Sequence, residues 1–296
     1  MTVCVAAICE NSMIVGLADR MLSTGDVELQ PLQSKIIQLS NSMFAMYAGD
    51  VALATELLTN IKATVANRIS KDPKNWWKIV DVADLWREAY IKHKRTKAEA
   101  AILTPLGLTS DTFISRQKEL SNGFISQLTA ELVNFVIPDV HVIFSGIDPS
   151  GPHLYLANNA DITCWDGVGF VAIGSGSYHA RSQMLFSGHT SSTTLTRGTA
   201  AIYMAKRRAE IAPGVGDHTD SALLLAIGQL SVIRDDVMKT LQDATQDELD
   251  KISQMFSIVE GKLSEKLTKL VSADSEAEAT QQIVDGSAPT DTSSSR

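Results

Sequence analysis

The chain has 296 residues, 44% hydrophobic and 20% charged, which is enough apolar material for one large domain or two small ones. Its formal net charge is −8, half of it in residues 272–296, where Asp274, Glu276, Glu278, Asp285 and Asp291 are set against Arg296 alone. The body is only mildly acidic, with no basic patch to hold nucleic acid. Cys4, Cys9 and Cys164 show no C-x-x-C or Cys/His ligand spacing, which argues against a disulfide framework, a zinc site or any other metal. No apolar run reaches membrane-spanning length and no basic leader precedes one, so a cytoplasmic protein without membrane contact or cofactor is expected.

In chain order, residues 2–9 (TVCVAAIC) and 13–18 (MIVGLA) are β-prone runs around the polar turn Glu10-Asn11-Ser12. Neither alternates polar with apolar, so both faces of this hairpin are expected to be covered. Strands are expected at 35–39 and 43–48. A helix should start after Asp50, a good N-cap, with Ala54, Leu57, Leu58, Ile61 and Val65 on one face. A second helix is expected over 78–100, after Trp76-Trp77, a pair read as a packing anchor. Residues 101–138 read as mostly helical, with Phe124, Leu128, Leu132 and Phe135 at helical spacing.

Strands return at 140–147, 153–157 and 168–173, helices at 178–187 and 193–211, and a strand at 221–227. From 236 to 271, Leu249, Ile252, Phe256, Val259, Leu263, Leu267 and Leu270 recur every three or four residues, marking an amphipathic helix. The Ser/Thr/Asp/Glu/Ala-rich tail 272–296 is expected to be disordered. Strand groups alternating with helix pairs suggest an α+β fold in which stacked sheets are covered by helices.

The chemistry-bearing residues begin at Thr2. An initiator methionine is normally trimmed before so small a residue, leaving a hydroxyl and a free α-amine on one residue. An amine with a reference pKa near 8 can then act as general base for its own hydroxyl. Asp19 ends the second strand, Lys35 opens the third, and Gly49 precedes a helix N-terminus whose amides can hold an oxyanion. Nucleophile, carboxylate, ammonium and oxyanion donor make a complete set for acyl transfer. The run at 168–173 ends in Gly174-Ser175-Gly176-Ser177, where His179 breaks any dinucleotide-binding G-x-G-x-x-G pattern.

With these residues in view, the chain resembles the proteasome-type β-subunit family of N-terminal-nucleophile hydrolases, which includes the bacterial heat-shock protease ring subunit. The Asp19–Lys35 and Lys35–Gly49 intervals of 16 and 14 are those of the family. IFSGIDPSGPHLYLANNADI resembles its central hairpin, and AIGSGSYHA its Gly-Ser-Gly segment. The resemblance covers roughly 2–70 and 140–230. It implies a four-layer αββα sandwich over 2–235, with 101–138 as an insertion and 236–271 and 272–296 as appendages. It also implies Thr2 as nucleophile, Asp19 and Lys35 as its ion pair, the Gly49 amide as oxyanion donor and Ser175 as a proton shuttle near the Thr2 amine.

The Thr2–Asp19 interval of 17 is one longer than the family's, a residue that the Glu10–Ser12 turn can absorb. A second aspartate is sought in GVGDHTDSALL, and Asp220, just before the strand, is the choice. His218 between Asp217 and Asp220 is read as part of a solvated loop. The expected activity is threonine-type peptide-bond hydrolysis by a homo-oligomeric ring, with a peptide or protein substrate and an ATPase as a further partner. The alternatives are an amidohydrolase acting on a small amide and a non-catalytic scaffold subunit of the proteasome type.

Overall fold

The structure is a computed structural model that describes residues 2–24, 27–29, 34–73 and 77–285. Two units divide the chain, Met1–Asp235 and Asp236–Arg296. In the first, β1 (Cys4–Cys9), β2 (Met13–Asp19), β10 (Phe170–Ile173), β11 (Thr219–Leu225) and β12 (Gln229–Ser231) form one antiparallel sheet in the order β10-β1-β2-β11-β12. β5 (Ile36–Ser40), β6 (Met43–Gly49), β7 (Val140–Asp148), β8 (Gly151–Asn158) and β9 (Asp161–Cys164) form a second, in sequence order. β3 (Leu22–Thr24) and β4 (Val27–Leu29) make a separate hairpin. The molecule is therefore an α+β protein built on two antiparallel sheets.

The unalternating strands are explained by what lies on each face. Side chains change face at every residue of a strand. Cys4, Ala6 and Ile8 of β1 join Ile14, Phe44, Met46, Ile143, Val171 and Leu224 in one buried cluster drawn from both sheets. On β6 the intervening Met43, Ala45 and Tyr47 belong to another cluster, with Leu57, Leu58 and Ile61 of α1 (Val51–Lys71) and Val82, Ala83 and Trp86 of α2 (Ile79–Ala98). On the β1–β2 sheet, Val5, Ala7, Val15 and Leu17 are fully buried, and α6 (Leu195–Ala209) lies against both strands. α6 can approach closely because it presents small residues: a Cβ at Gly198 would stand 2.4 Å from Cys9 Sγ. α5 (Ser177–Phe186) lies against β10 and α6.

The turn between β1 and β2 is tight. Ser12 N–H donates to Cys9 O at 3.0 Å across Glu10 and Asn11, both with φ near +50°, the geometry of a type I′ turn. Pairing then runs from Cys9–Met13 to Cys4–Ala18 without a bulge. Asp50 caps α1 as expected, its carboxylate accepting from Leu53 N–H at 2.8 Å. Trp77 is buried, with the Arg68 guanidinium 4.1 Å from its ring centre, while Trp76 lies outside the described residues.

The 101–138 stretch is more broken than its spacing suggested. A π turn over Glu99–Leu103 continues α2 and is followed by α3 (Ser110–Ser115) and α4 (Asn122–Val133). These share a small core of Leu103, Leu108, Phe113 and Leu128, with Phe124 and Leu132 packed on it; Phe135 falls beyond the end of α4.

The second unit holds α7 (Asp235–Asp285), which takes in residues 272–285 of the tail that the sequence marks as disordered, while 286–296 lie outside the described residues. The Ala, Glu and Gln residues of 276–282 are good helix formers, and that propensity outweighs the polar composition that pointed to disorder. Phe256, Val259 and Leu263 on its apolar stripe are exposed.

Phe44 is fully buried between the sheets and its ring lies against Gly16. Phe44→Ala should lower the free energy of unfolding by about 3–5 kcal/mol in urea titration. Ile114→Ala, on the exposed face of α3, should change it by no more than about 0.5 kcal/mol. Similar losses for the two would contradict the placement of this core.

Candidate active site

Residues from four strand ends meet at one corner of the first sheet. Asp19 closes β2, and its N–H donates to Val3 O at 3.1 Å, so the β1–β2 pairing itself brings Asp19 beside the start of β1. Lys35 precedes β5, one step beyond the Ile36–Met46 pair. Ser175 follows β10, the strand that pairs with β1 on its other side. Thr2, Asp19 and Lys35 are 3%, 0% and 2% exposed, a buried polar trio at the edge of an apolar core.

Their hydrogen bonds are saturated. The Lys35 ammonium, with three protons to give, donates to Thr2 Oγ1, to Asp19 Oδ1 at 2.9 Å and to Met21 O. The Thr2 hydroxyl donates to Asp19 Oδ1 at 2.5 Å. Asp19 is further held by three backbone amides: Val3 N–H at 2.8 Å on Oδ1, and Met21 N–H at 3.0 Å and Gly216 N–H at 3.1 Å on Oδ2. Thr2 N–H donates to Ser175 Oγ at 3.2 Å, and Gly176 N–H donates to Thr2 O at 3.2 Å. Gly174, with φ +91°, passes so close that a Cβ there would lie 2.2 Å from Thr2 O. Only glycine lets the β10 end approach the first residue of β1 this way.

The structure thus brings Thr2, Asp19, Lys35 and Ser175 into one hydrogen-bonded group. Gly49 ends β6 with φ +104°, and a Cβ there would stand 2.2 Å from Asp139 O, so no side chain fits. It is two residues beyond Tyr47, whose carbonyl accepts from Cys4 Sγ at 3.4 Å, which sets this end of β6 over the start of β1. No hydrogen bond joins Gly49 to Thr2 among the described residues. Asp220 is a step removed: it pairs with Ala18 across the sheet, and its carboxylate is held by Arg20 Nε at 2.6 Å. The contact from that end of the chain to the trio is made by the Gly216 amide instead. Sequence reasoning missed it because a backbone donor in a loop leaves no residue-type signature. His218 and Asp217 form an exposed pair at 2.9 Å.

Two other candidate nucleophiles are accounted for by their surroundings. Burial pushes the Cys4 thiol far up, which keeps it protonated and inert. Ser150, His153 and Asp166 reproduce the contacts of a hydrolase triad, with Ser150 Oγ 2.9 Å from His153 Nε2 and His153 Nδ1 2.7 Å from Asp166 Oδ2. Yet the Ser150 hydroxyl and amide both donate to Asp148 Oδ1, at 2.5 and 2.8 Å. The hydroxyl has one proton and the shorter contact is to Asp148, so this network fastens the β7–β8 turn.

In comparisons with known proteins, no family model and no curated protein matches this chain.

The turn network carries a pH dependence. Burial alone would raise the Asp148 carboxyl, but hydrogen bonds from the Ser150 hydroxyl and amide and the Ile79 amide, with His153 nearby, hold it below its ordinary value of 3.8. A carboxyl lowered on folding adds stability above its unfolded pKa, and that stability is lost as pH falls through the lower folded value. Below about pH 4, the melting temperature of the wild type should therefore fall more steeply than that of Asp148→Asn. Parallel acid limbs in calorimetry would remove Asp148 from this role.

Proposed function

We propose that the chain is a threonine-nucleophile hydrolase of the proteasome β-subunit type, cleaving peptide bonds through an acyl-enzyme. The observation that carries this reading is the placement of the Thr2 hydroxyl on both the Lys35 ammonium and the Asp19 carboxylate, with the Thr2 nitrogen on Ser175 Oγ. An isolated threonine hydroxyl is a poor nucleophile at neutral pH. A fixed, desolvated ammonium beside it favours the alkoxide, and Asp19 holds that ammonium in place at 2.9 Å.

In the chain as translated, Thr2 N is an amide and the hydroxyl proton points to Asp19. Once the residues preceding Thr2 are removed, the freed amine becomes the base, and Ser175 Oγ lies within reach to pass the proton on. Thr2 Oγ1 then attacks the carbonyl carbon as its proton moves to the amine, and that proton is later given to the leaving amine. Water repeats the sequence on the ester. The amide of Gly49, at the open end of β6, is the donor assigned to the oxyanion.

A four-layer αββα arrangement of the family's kind is part of this reading, and the packing of the layers supports it. One apolar cluster lies between the sheets, another lies between the β5–β9 sheet and α1 and α2, and α5 and α6 lie on the β1–β2 sheet. A homo-oligomeric ring is supported by apolar side chains left open on α5, where Tyr178 and Phe186 are 79% and 82% exposed with Leu185 between them. Light scattering of the purified protein should give a multiple of the 32.0 kDa chain mass. A monomer at micromolar concentration would count against enclosure of a peptide substrate by a ring.

The decisive test is kinetic. Lys35→Ala should lose about 10²–10³-fold in turnover of a fluorogenic peptide, the effect of removing one preorganised electrostatic group. Thr2→Ala should abolish labelling by an electrophilic peptide probe, and Thr2→Ser should retain some. Intact mass of an active preparation should show Thr2 as the first residue. Activity from protein in which the Thr2 nitrogen is still blocked, or equal rates for Lys35→Ala and wild type, would refute the mechanism.

A further inference from the structure

We propose that Lys206 is a positioning residue for the Thr2 site, acting through the loop 211–218; the proposal rests on the threonine-hydrolase reading. Lys206 stands in the last turn of α6 and is fully buried, whereas its neighbours Arg207 and Arg208 are only partly buried or exposed. Its ammonium donates to Glu210 Oε1 at 2.6 Å and to Asp217 O at 2.5 Å. Burial lowers its pKa, against the raising influence of Glu210 and, more weakly, of Asp19. A helix-capping lysine would be satisfied by its own helix at the surface. This one crosses to a loop carbonyl at the cost of full desolvation, which its hydrogen bonds to Glu210 and Asp217 offset.

The loop it holds touches the site at three points. Gly216 N–H donates to Asp19 Oδ2 at 3.1 Å. The Cβ position of Gly216 lies 2.9 Å from Met21 Cβ, and Met21 O is an acceptor of the Lys35 ammonium. Val215 packs on Gly176, where an added Cβ would meet Val215 Cγ2 at 3.1 Å and Val3 Cβ at 3.1 Å, beside Ser175 and Thr2. Lys206 therefore anchors Asp217, the adjacent Gly216 amide fixes the second oxygen of Asp19, and the first oxygen of Asp19 orients Lys35 and Thr2. Without the anchor, the carboxylate loses one of its three amide donors and the ion pair gains freedom to rotate. Misplacement of a nucleophile by about 1 Å costs on the order of 10²-fold in rate.

The test compares Lys206→Met with wild type by peptide kinetics and by amide hydrogen exchange read with mass spectrometry. Lys206→Met should lower kcat about 10²-fold with KM changed by no more than about twofold, the signature of lost transition-state positioning. Exchange should quicken in segments covering 211–218, Val3 and Met21 while β6 and β7 keep wild-type protection. Gly216→Ala leaves Lys206 in place but forces the amide off Asp19 by collision with Met21, so it should give the same kinetic split. It carries the test if Lys206→Met does not fold.

Wild-type kcat in a variant whose 211–218 segment exchanges faster would overturn the proposal. So would unchanged exchange over that segment. If the wild type itself neither cleaves peptide nor takes the probe at Thr2, the hydrolase reading falls, and the exchange comparison alone decides whether Lys206 braces Asp19.

Discussion

An ammonium and a carboxylate removed from water almost completely are expensive unless every proton and lone pair is used, and Lys35 and Asp19 are placed under that condition. The Lys35 ammonium has three acceptors for its three protons, and Asp19 collects amides from three separate segments, the start of β1, the end of β2 and the loop before β11. The pair is stable only where those segments converge. Strand register is consequently under a second constraint besides the apolar core. A slip of one residue in β1–β2 pairing would turn Asp19 to the other face and leave Lys35 charged and unmatched.

The layers supply that convergence. β1 is flanked by β2 and β10, so the residue that opens it is reached from one side by Asp19 and from the other by Ser175. The second sheet stacks across the shared core and delivers Lys35 from the head of β5. Glycines occur where the backbones crowd. Gly174 passes Thr2 and Gly49 passes Asp139, both at positive φ and both within 2.2 Å of a would-be Cβ. A site built on strand ends in this way is held by the whole sheet rather than by one loop, which suits chemistry that depends on preorganised charge.

The same physical rules separate the Thr2 group from its imitators. Cys4 lies two residues on in sequence and its thiol is intrinsically the better nucleophile, yet burial outweighs the Lys35 charge and keeps the thiol protonated. Ser150 has a histidine and an aspartate in line, but Asp148 takes both its hydroxyl and its amide. What distinguishes Thr2 is a hydroxyl held by a positive charge whose one anionic partner among the described residues holds the same hydroxyl.

Much of this was legible in the amino-acid sequence. Unbroken apolar runs at β1 and β2 announced strands covered on both faces, Asp50 announced a helix start, Thr2 stood out as a hydroxyl behind a removable methionine, Asp19 and Lys35 as charges at the ends of apolar runs, and Ser175 through the resemblance of its Gly-Ser-Gly segment. These features depend on residue type and short spacing, which sequence carries directly. The short strands β3, β4, β9 and β12 were not legible, since three or four mixed residues give no period to read. Nor was the helical extent of α7, where propensity and composition pointed opposite ways. At the site, the segment from 214 to 221 offered two carboxylates and a serine, and sequence favoured Asp220. The folded chain gave that carboxylate to Arg20 and sent the Gly216 amide to Asp19. Sequence by itself determined which side chains could carry charge and where the strands would end. Only the tertiary structure decided which backbone groups complete the ion pair, because amides are identical along the chain and differ only in where packing points them.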